Sequence, residues 1–406
     1  MGAFAVTDLR DSYDVVIVGG AMMGSSAAWF LVDNPEFDGT ILVVERDPSY
    51  ANSSTARTNS CMRQQFSNPL NIQISQFAAE YVTSFRERMT PHFDRPDEAP
   101  QPVLQSFGYM YLAADTAAAD VLRANHQVQA SCGAGTRLLT PDEVAAAFPF
   151  YALDDIELAS HNPVNEGYFD GNTLFDTWRT LARKHGATFV QAEVVGLELD
   201  GPRVARVALA DGRAVACGTF VNAAGPRADV VARMAGIEIP VEPRKRFTFI
   251  FDAAEPLDRD LPLTIDPSGV HVRTDGRYYL AGCPPDVDTP CAFDDLEMDP
   301  DVWEEKAWPA IAARIPAFER VKVVNEWAGH YAFNTLDQNA IVGRHPEITN
   351  FVFMNGFSGH GFQQSPAMGR GVAELIAYGE YRSLDLAPLG FERIAAGVPF
   401  TERAVI

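Results

Sequence analysis

The sequence predicts an α/β chain of 406 residues folded as two interleaved domains of the α+β kind, one of them Rossmann-like. Three observations predict it. Between Tyr13 and Asp47, the β-branched run Val15–Val18 meets a glycine turn and a small-residue helix over Ser25–Val32. A second apolar run, Ile41–Val44, follows and ends in the acid Glu45. Towards the other end, Phe351–Met354 meets the glycine-rich turn NGFSGHGF and another small-residue helix reaching about Tyr378. Finally, 406 residues exceed one typical domain, and 47% hydrophobic residues suffice for more than one core.

Each part of the first unit has its chemistry. Gly19 permits the tight turn out of the strand, and Gly24 lets the helix lie close to the sheet. The helix N-terminus offers unpaired N–H groups to a pyrophosphate. Glu45 accepts hydrogen bonds from an adenosine ribose, and its charge disfavours a 2′-phosphate and hence NADP. The second glycine of G-x-G-x-x-G falls on Ala21, whose methyl predicts a slight displacement of the phosphates. At this stage the dinucleotide is NAD or FAD.

Composition bounds the partners. A net charge of −22 excludes nucleic acid and anionic membrane surfaces as natural partners. No run of about 18 apolar residues suggests a membrane span, and residues 1–12 lack the basic-then-apolar pattern of a leader. Five cysteines, odd in number and without C-x-x-C spacing, read as free thiols of a reducing cytoplasm. The eight histidines show no metal-ligand spacing, and there is no G-x-S-x-G nucleophile turn.

In chain order, the hydroxyl-rich stretch Asn52–Phe66 predicts a loop lying along a ligand and donating to phosphate or ribityl oxygens. It contains Arg57, equally a surface residue, and Arg63, set among Cys61, Met62 and Phe66 and so read as inside a site. Residues 70–88 have the period of an amphipathic helix, and the proline-rich 90–103 marks a crossing between domains. A strand over 106–112 precedes helices at 115–131 and at 141–147, the latter announced by Thr140-Pro141-Asp142-Glu143. NEGYF (165–169) leads to a helix near 171–186. Strands over 187–225, punctuated by Asp200-Gly201 and Asp211-Gly212, end in the small-residue turn Asn222–Gly225. Further strands are predicted at Arg246–Phe251, Val270–Arg273 and Tyr278–Ala281, then a helical stretch at 299–315. His271, Arg273, Tyr278 and Tyr279 lie on adjacent strands, each able to face a pocket or simply to pack.

Together, the two glycine turns and the Asn222–Gly225 turn resemble the D-amino-acid-oxidase-like (DAO) family of FAD-dependent amine oxidoreductases, which includes sarcosine oxidase and dimethylglycine dehydrogenase. YAFNTLDQNAIVG (331–343), GFSGHGFQQSPAMGR (356–370) and WEEKAWPAIAARIPAFE (303–319) are similar to its branch of FAD-dependent oxidoreductase domain-containing proteins of mitochondria. The resemblance runs over nearly the whole chain. It implies a Rossmann-like FAD-binding domain in three pieces (1–90, 157–235 and 327–406). A substrate domain (91–156 and 236–326) then lays a mixed sheet over the flavin. Carried over by position, Gly19, Ala21, Met23, Gly24, Glu45 and Arg46 hold the ADP half of a non-covalent FAD. Ser53, Ser54 and Ser60 contact the cofactor as their loop passes it. The Val194 backbone meets the adenine, and Ala224 and Gly225 let the chain approach. Gly359, His360, Gly361 and Phe362 present a helix end to the flavin pyrimidine.

The resemblance also implies an active site, from which the chain departs at several positions. Of the basic pair that clamps the substrate carboxylate in monomeric sarcosine oxidase-like enzymes, the arginine matches Arg63 and the lysine falls on Gln363. The flavin-tethering cysteine aligns with His330. The lysine associated with oxygen activation falls near Tyr278 or Tyr279, which leaves the acceptor open between oxygen and another oxidant. Arg273 is read as a second anchor, and His330, Tyr278, Gln363 and His360 as the lining of the flavin's substrate face. The expected activity is oxidation of the C–N bond of a secondary amine bearing a carboxylate, a sarcosine-like N-alkyl amino acid or an iminodiacetate-type acid. Hydride passes to flavin N5 and the imine hydrolyses. Two other readings stand beside it, a non-catalytic flavoprotein acting as an assembly or binding factor and an NAD-dependent oxidoreductase.

Overall fold

The computed structural model describes residues 9–403. Residues 1–8, part of the stretch read for a leader, and 404–406, the end of the 327–406 piece, lie outside the described residues.

The first unit forms strand Ser12–Val18, helix Met22–Val32 and strand Ile41–Glu45. The strands are parallel, with Val16 opposite Leu42, and Val16, Ile17 and Leu42 have no exposure. This is why the run is β-branched on both faces. Ser12–Val18 also pairs in parallel with Ala214–Asn222. That strand is shared: its start pairs antiparallel with Arg203–Leu209, its end in parallel with Phe351–Asn355. The strands of both glycine turns therefore run the same way in one sheet, and both turns open at its carboxyl edge, where ligands of such sheets bind. Thr188–Gln191, Val194–Asp200 and Ile341–Arg344 complete the sheet. Helices Met22–Val32 and Gly361–Tyr378 cross closely behind it. A Cβ on Gly369 would lie 2.0 Å from Ser26 Oγ, and Ser26 Oγ donates to Ser365 O at 2.7 Å.

The second sheet runs, in spatial order, Val321–Asn334, Val241–Ala253, Tyr278–Cys283, His271–Asp275, Leu263–Ile265, Tyr109–Ala113, Leu158–Asn162 and Arg137–Leu139. One pair, Leu263–Ile265 with Tyr109–Ala113, is parallel and the rest are antiparallel, so the sheet is mixed. Its core is aromatic: the Phe251 ring packs on Tyr279, Trp303 and Phe318. A small third sheet joins the halves, with Gly167–Phe169 between Cys61–Met62 and Leu104–Gln105.

Three sequence expectations shift. Strand pairing puts Leu158–Asn162 and all of Val321–Asn334 in the second sheet, so the boundaries drawn at 157 and 327 fall inside it. The helix predicted over 70–88 is two, Pro69–Thr83 and Phe85–Met89. It breaks at Ser84, whose hydroxyl bonds back to Glu80 O at 2.7 Å. The 299–315 stretch begins as a π turn, Val302–Ala307, before the α-helix Trp308–Arg314, because Pro309 has no N–H to close an α turn there. Among the described residues no helix is long and apolar enough to cross a membrane.

Candidate active site

A cavity of about 360 Å³ runs from the carboxyl edge of the first sheet to the underside of the second. Towards one end are Gly19, Ala21, Glu45, Arg46, Ser53, Val194, Ala224 and Gly225, and towards the other Ser60, Arg63, His330, Gly359, His360, Gly361, Phe362 and Gln363; Met23, beside Gly361, and Ser54, bonded to His330 O, join the two. Gly24 stands just behind the wall.

The first end is a cradle built by close approach. Gly19 has φ +96°, and a Cβ there would meet Ala223 O at 2.3 Å; one on Gly24 would meet Gly19 O at 1.8 Å. Helix Met22–Val32 has no side-chain cap of its own, and its first amide, Met22 N, is met by Thr55 Oγ1. Glu45 is held by two amides, Gly20 N to Oε2 and Asp47 N to Oε1, both at 2.8 Å; burial raises its pKa against those bonds. The remaining carboxylate lone pairs are available to vicinal hydroxyls. Ser53 and Ser54 differ from expectation in chemistry, though not in place. Their hydroxyls donate to Tyr50 O (2.7 Å) and His330 O (2.6 Å), so they stiffen the loop and can only accept from a ligand. Arg57, left between surface and site, lines the cavity but spends its donors on Ala51 O, Ala328 O and Asn52 Oδ1.

The far end is organised around Arg63, which is 2% exposed. Its amide donates to Gln363 Oε1 at 2.8 Å, its Nη1 to Gln65 O at 2.6 Å and its Nη2 to His360 Nε2 at 2.8 Å. The guanidinium lies 4.0 Å over the Phe66 ring, with Tyr109 and Tyr111 further out. Burial opposes its charge, but the Tyr111 and Tyr109 hydroxyls and the carboxylates of Glu402 and Glu166 raise its pKa overall. An arginine cannot accept, so His360 Nε2 must, and the His360 proton sits on Nδ1. Burial, then Arg63, holds that imidazole well below its ordinary pKa. His360 is thus a neutral acceptor behind Arg63. The Gly359 turn packs directly on Tyr331, where a Cβ on Gly359 would meet the ring at 2.4 Å. His330 gives Nε2–H to Asp295 O at 2.7 Å, and burial lowers its pKa.

Arg273 and Tyr278 do not line the cavity. Arg273 gives its Nη1 and Nη2 hydrogens to Thr274 O, Asp275 and Asn59 O and keeps a buried Nε without a partner. Tyr278 pairs with Asp275 at the far end of its strand, five residues, or about 16 Å, from the cavity-lining Cys283. His271, pairing with Gly282, reaches the cavity from the same end of that hairpin as Cys283. Its Nε2 is 2.9 Å from Asn59 Nδ2, Asn59 Oδ1 accepts from Thr248 Oγ1, and burial lowers its pKa to about 4.

Two residues were missed. Glu166, with no exposure, accepts from Gln64 N (2.6 Å), Asn162 Nδ2 (2.7 Å) and Gln65 Nε2 (2.9 Å), clamping the two residues after Arg63. Burial outweighs those donors and raises its pKa to about 8. Its one sequence signal was an acid inside the otherwise small and aromatic NEGYF. Arg246 lines the cavity from the second sheet; its signal was the basic run Arg244-Lys245-Arg246 in an acidic chain. Among the described residues no group of three or more His, Cys, Asp or Glu could hold a metal ion.

The residues present fit FAD. Gly19 and Gly24 leave no room for a Cβ, Glu45 offers lone pairs for a ribose, and helix Gly361–Tyr378 starts on the same cavity uncapped by any side chain. Comparison with known proteins agrees. Residues 14–375 match the DAO family, described as FAD dependent oxidoreductase. The FAD-dependent oxidoreductase domain-containing protein 1 of Xenopus laevis is 37% identical over 97% of this chain and 85% of its own. The sarcosine oxidase subunit beta of an Arthrobacter species is 26% identical over 96% and 92%. Among solved structures, the L-proline dehydrogenase of P. horikoshii superposes with a TM-score of 0.82 at 25% identity, covering 96% of this chain and 99% of that one.

Proposed function

The chain belongs to the FAD-dependent oxidoreductase family, and on that footing we propose that it oxidises the C–N bond of a secondary amine carrying a carboxylate. Membership settles the cofactor as FAD and the class as oxidase or dehydrogenase, so an NAD-dependent reading of the Gly19–Glu45 unit falls. One observation carries the substrate class: Arg63, a buried cation, lines the same cavity as the FAD cradle. A fixed guanidinium beside a flavin site favours a carboxylate in a defined orientation. Sarcosine and L-proline, which name two of the similar proteins, are both secondary amines with a carboxylate.

Bound FAD supplies the two-electron acceptor for the C–H bond beside the substrate nitrogen. The protein's part is placement and charge. Arg63 takes the carboxylate. Neutral His360 keeps the guanidinium aimed without adding a competing positive charge. Gln363, committed to Arg63 N, stands where related enzymes carry a lysine, so the anchor on this wall is a single cation. The helix Gly361–Tyr378 opens its N-terminus on the cavity, where it would favour negative charge on a bound, reduced flavin. The neutral histidines of this wall favour binding of the amine as free base.

We take the FAD to be non-covalent. His330 stands where a tethering cysteine stands in related enzymes, and the cavity-lining Cys61 thiol is kept protonated by burial. We likewise propose a reducing cytoplasm, a reading supported by five cysteines, odd in number and without C-x-x-C spacing. The test is an anaerobic titration of the yellow holoprotein with N-alkyl amino acids and imino dicarboxylic acids. Bleaching at about 450 nm by a member of that panel is expected, and readmitting air then reports whether oxygen is the acceptor. A chemically reducible flavin that no member bleaches overturns the reading.

A further inference from the structure

Besides Arg63, the cavity wall holds Arg246, whose Nε is buried without a partner. Arg246 lies on strand Val241–Ala253, and its Cζ is 4.7 Å from the centroid of Tyr331, the ring that packs on Gly359. Packing links it to Arg63: Tyr331 lies against Gly359, and the next residue, His360, accepts from Arg63 Nη2 at 2.8 Å. Arg63 is held by the loop of the first domain and Arg246 by the sheet of the second.

Arginine has five N–H donors. For Arg246, one Nη1 hydrogen goes to Lys245 O (2.8 Å) and the other to Asp288 Oδ1 (2.8 Å); one Nη2 hydrogen goes to Asp288 Oδ2 (2.9 Å). Nε is buried without a partner. What remains is Nε–H and the second Nη2–H, which lie side by side on one edge of the guanidinium. That edge is a standard seat for a carboxylate bound through both oxygens. Asp288 takes the end of the fork and leaves the side. It belongs to the irregular segment 284–299, which crosses the cavity mouth with Pro284 and Phe293 in its wall.

We propose that Arg246 is a second carboxylate anchor and that the preferred substrate is a secondary amine carrying two carboxylates, one for each guanidinium. This rests on the reading of Arg63 given above. A monocarboxylate would satisfy Arg63 and leave a buried Arg246 donor unmet, and an unmet buried donor is penalised. Discrimination by an unmet polar group is stronger than discrimination by size.

The test separates the two claims by using thioether acids, which keep the shape of the amine and cannot be oxidised at a C–N bond. Thiodiacetate carries two carboxylates and methylthioacetate one. Their binding to the FAD-loaded protein is measured by calorimetry for wild type, Arg246→Lys and Arg63→Ala. Arg246→Lys keeps the charge and the Asp288 ion pair but has no side edge; flavin content and circular dichroism report that it is folded. The expectation is that wild type prefers thiodiacetate by at least about tenfold. Arg246→Lys should lose that preference while its affinity for methylthioacetate stays within about twofold. A preference that survives in Arg246→Lys, or no preference in wild type while Arg63→Ala still weakens both acids, overturns the second anchor and leaves the carboxylate-amine reading standing. Failure of both acids to bind wild type overturns that reading and the second anchor with it.

Discussion

Arg63 Nη2 donates to His360 Nε2 at 2.8 Å, joining residues 297 positions apart in sequence. The bond fixes three things at once: the direction of the guanidinium, the tautomer of the imidazole and the neutrality of the pair's second member. Replacing His360 by phenylalanine keeps a ring beside Phe66 and removes the acceptor, together with the Nδ1–H. Loss of a hydrogen bond to a charged group costs roughly 1.5–3 kcal/mol. We expect the KM for the amino-acid substrate to rise by about 10- to 100-fold, with the rate of flavin reduction at saturation changed far less. Stopped-flow reduction, which separates the two quantities, makes the measurement.

Arg63→Ala should be more severe. It removes the charge that binds the carboxylate and strands Gln65 O and His360 Nε2 without donors. Truncating one member of a buried charge pair costs about 2–5 kcal/mol, so KM should rise by at least about 30-fold while FAD stays bound. Flavin absorbance at unchanged stoichiometry, beside a raised KM, is the expected combination. An unchanged KM removes Arg63 from the site.

The parts of this site that were legible in the sequence are those encoded within one short stretch. Gly19, Gly24 and Glu45 are spaced by a local strand–turn–helix–strand whose geometry the backbone dictates. Strand patterns likewise announced four of the eight strands of the second sheet. Register was not legible. Arg273 and Tyr278 were chosen from the same hairpin as His271. Only the pairing of His271 with Gly282, and of Asp275 with Tyr278, decides which end meets the cavity. Glu166 was invisible for the same reason, since its bond to Gln64 N spans 102 residues and no local pattern predicts it. Nor does a basic run reveal which of Arg244, Lys245 and Arg246 turns inward. That alternation depends on the partner strand Val321–Asn334.

FAD binding should fail when the cradle is filled. A Cβ on Gly24 would sit 1.8 Å from Gly19 O, a clash with backbone that no side-chain rotation relieves. Gly24→Ala should therefore yield protein without the flavin absorbance at about 450 nm, whereas Ala21→Gly, which only removes a methyl facing the phosphates, should retain it. The ratio of flavin to protein absorbance decides between these outcomes.

The aromatic core of the second sheet can be weakened without touching the cradle. Phe251 has no exposure and packs on Tyr279, Trp303 and Phe318. Phe251→Ala should cost about 3–5 kcal/mol of stability while purified protein keeps its FAD. Urea unfolding followed by circular dichroism measures the first, and absorbance the second.

Stability should have opposed pH limbs, and the two sides trace to different residues. Burial lowers the pKa values of His271 and His161 to about 4, against an ordinary 6.5. Below about pH 6.5 the unfolded chain binds protons that the folded chain refuses until about pH 4. Stability therefore falls with falling pH across that window, by up to roughly 3 kcal/mol for each histidine. Glu166 acts in the opposite sense. Its folded pKa is raised to about 8 from an ordinary 4.5, so between those values the folded chain holds a proton that the unfolded chain has released, and stability falls as pH rises. Glu166→Gln removes this second limb, because an amide does not titrate. The variant loses an acceptor for Gln64 N, Asn162 or Gln65 at every pH, but it should compare better with wild type at about pH 8 than at about pH 5. The gap in melting temperature between the two proteins should narrow as pH rises. A gap independent of pH would mean that Glu166 is ionised throughout, held so by its three N–H donors and by Arg63 against the pull of burial.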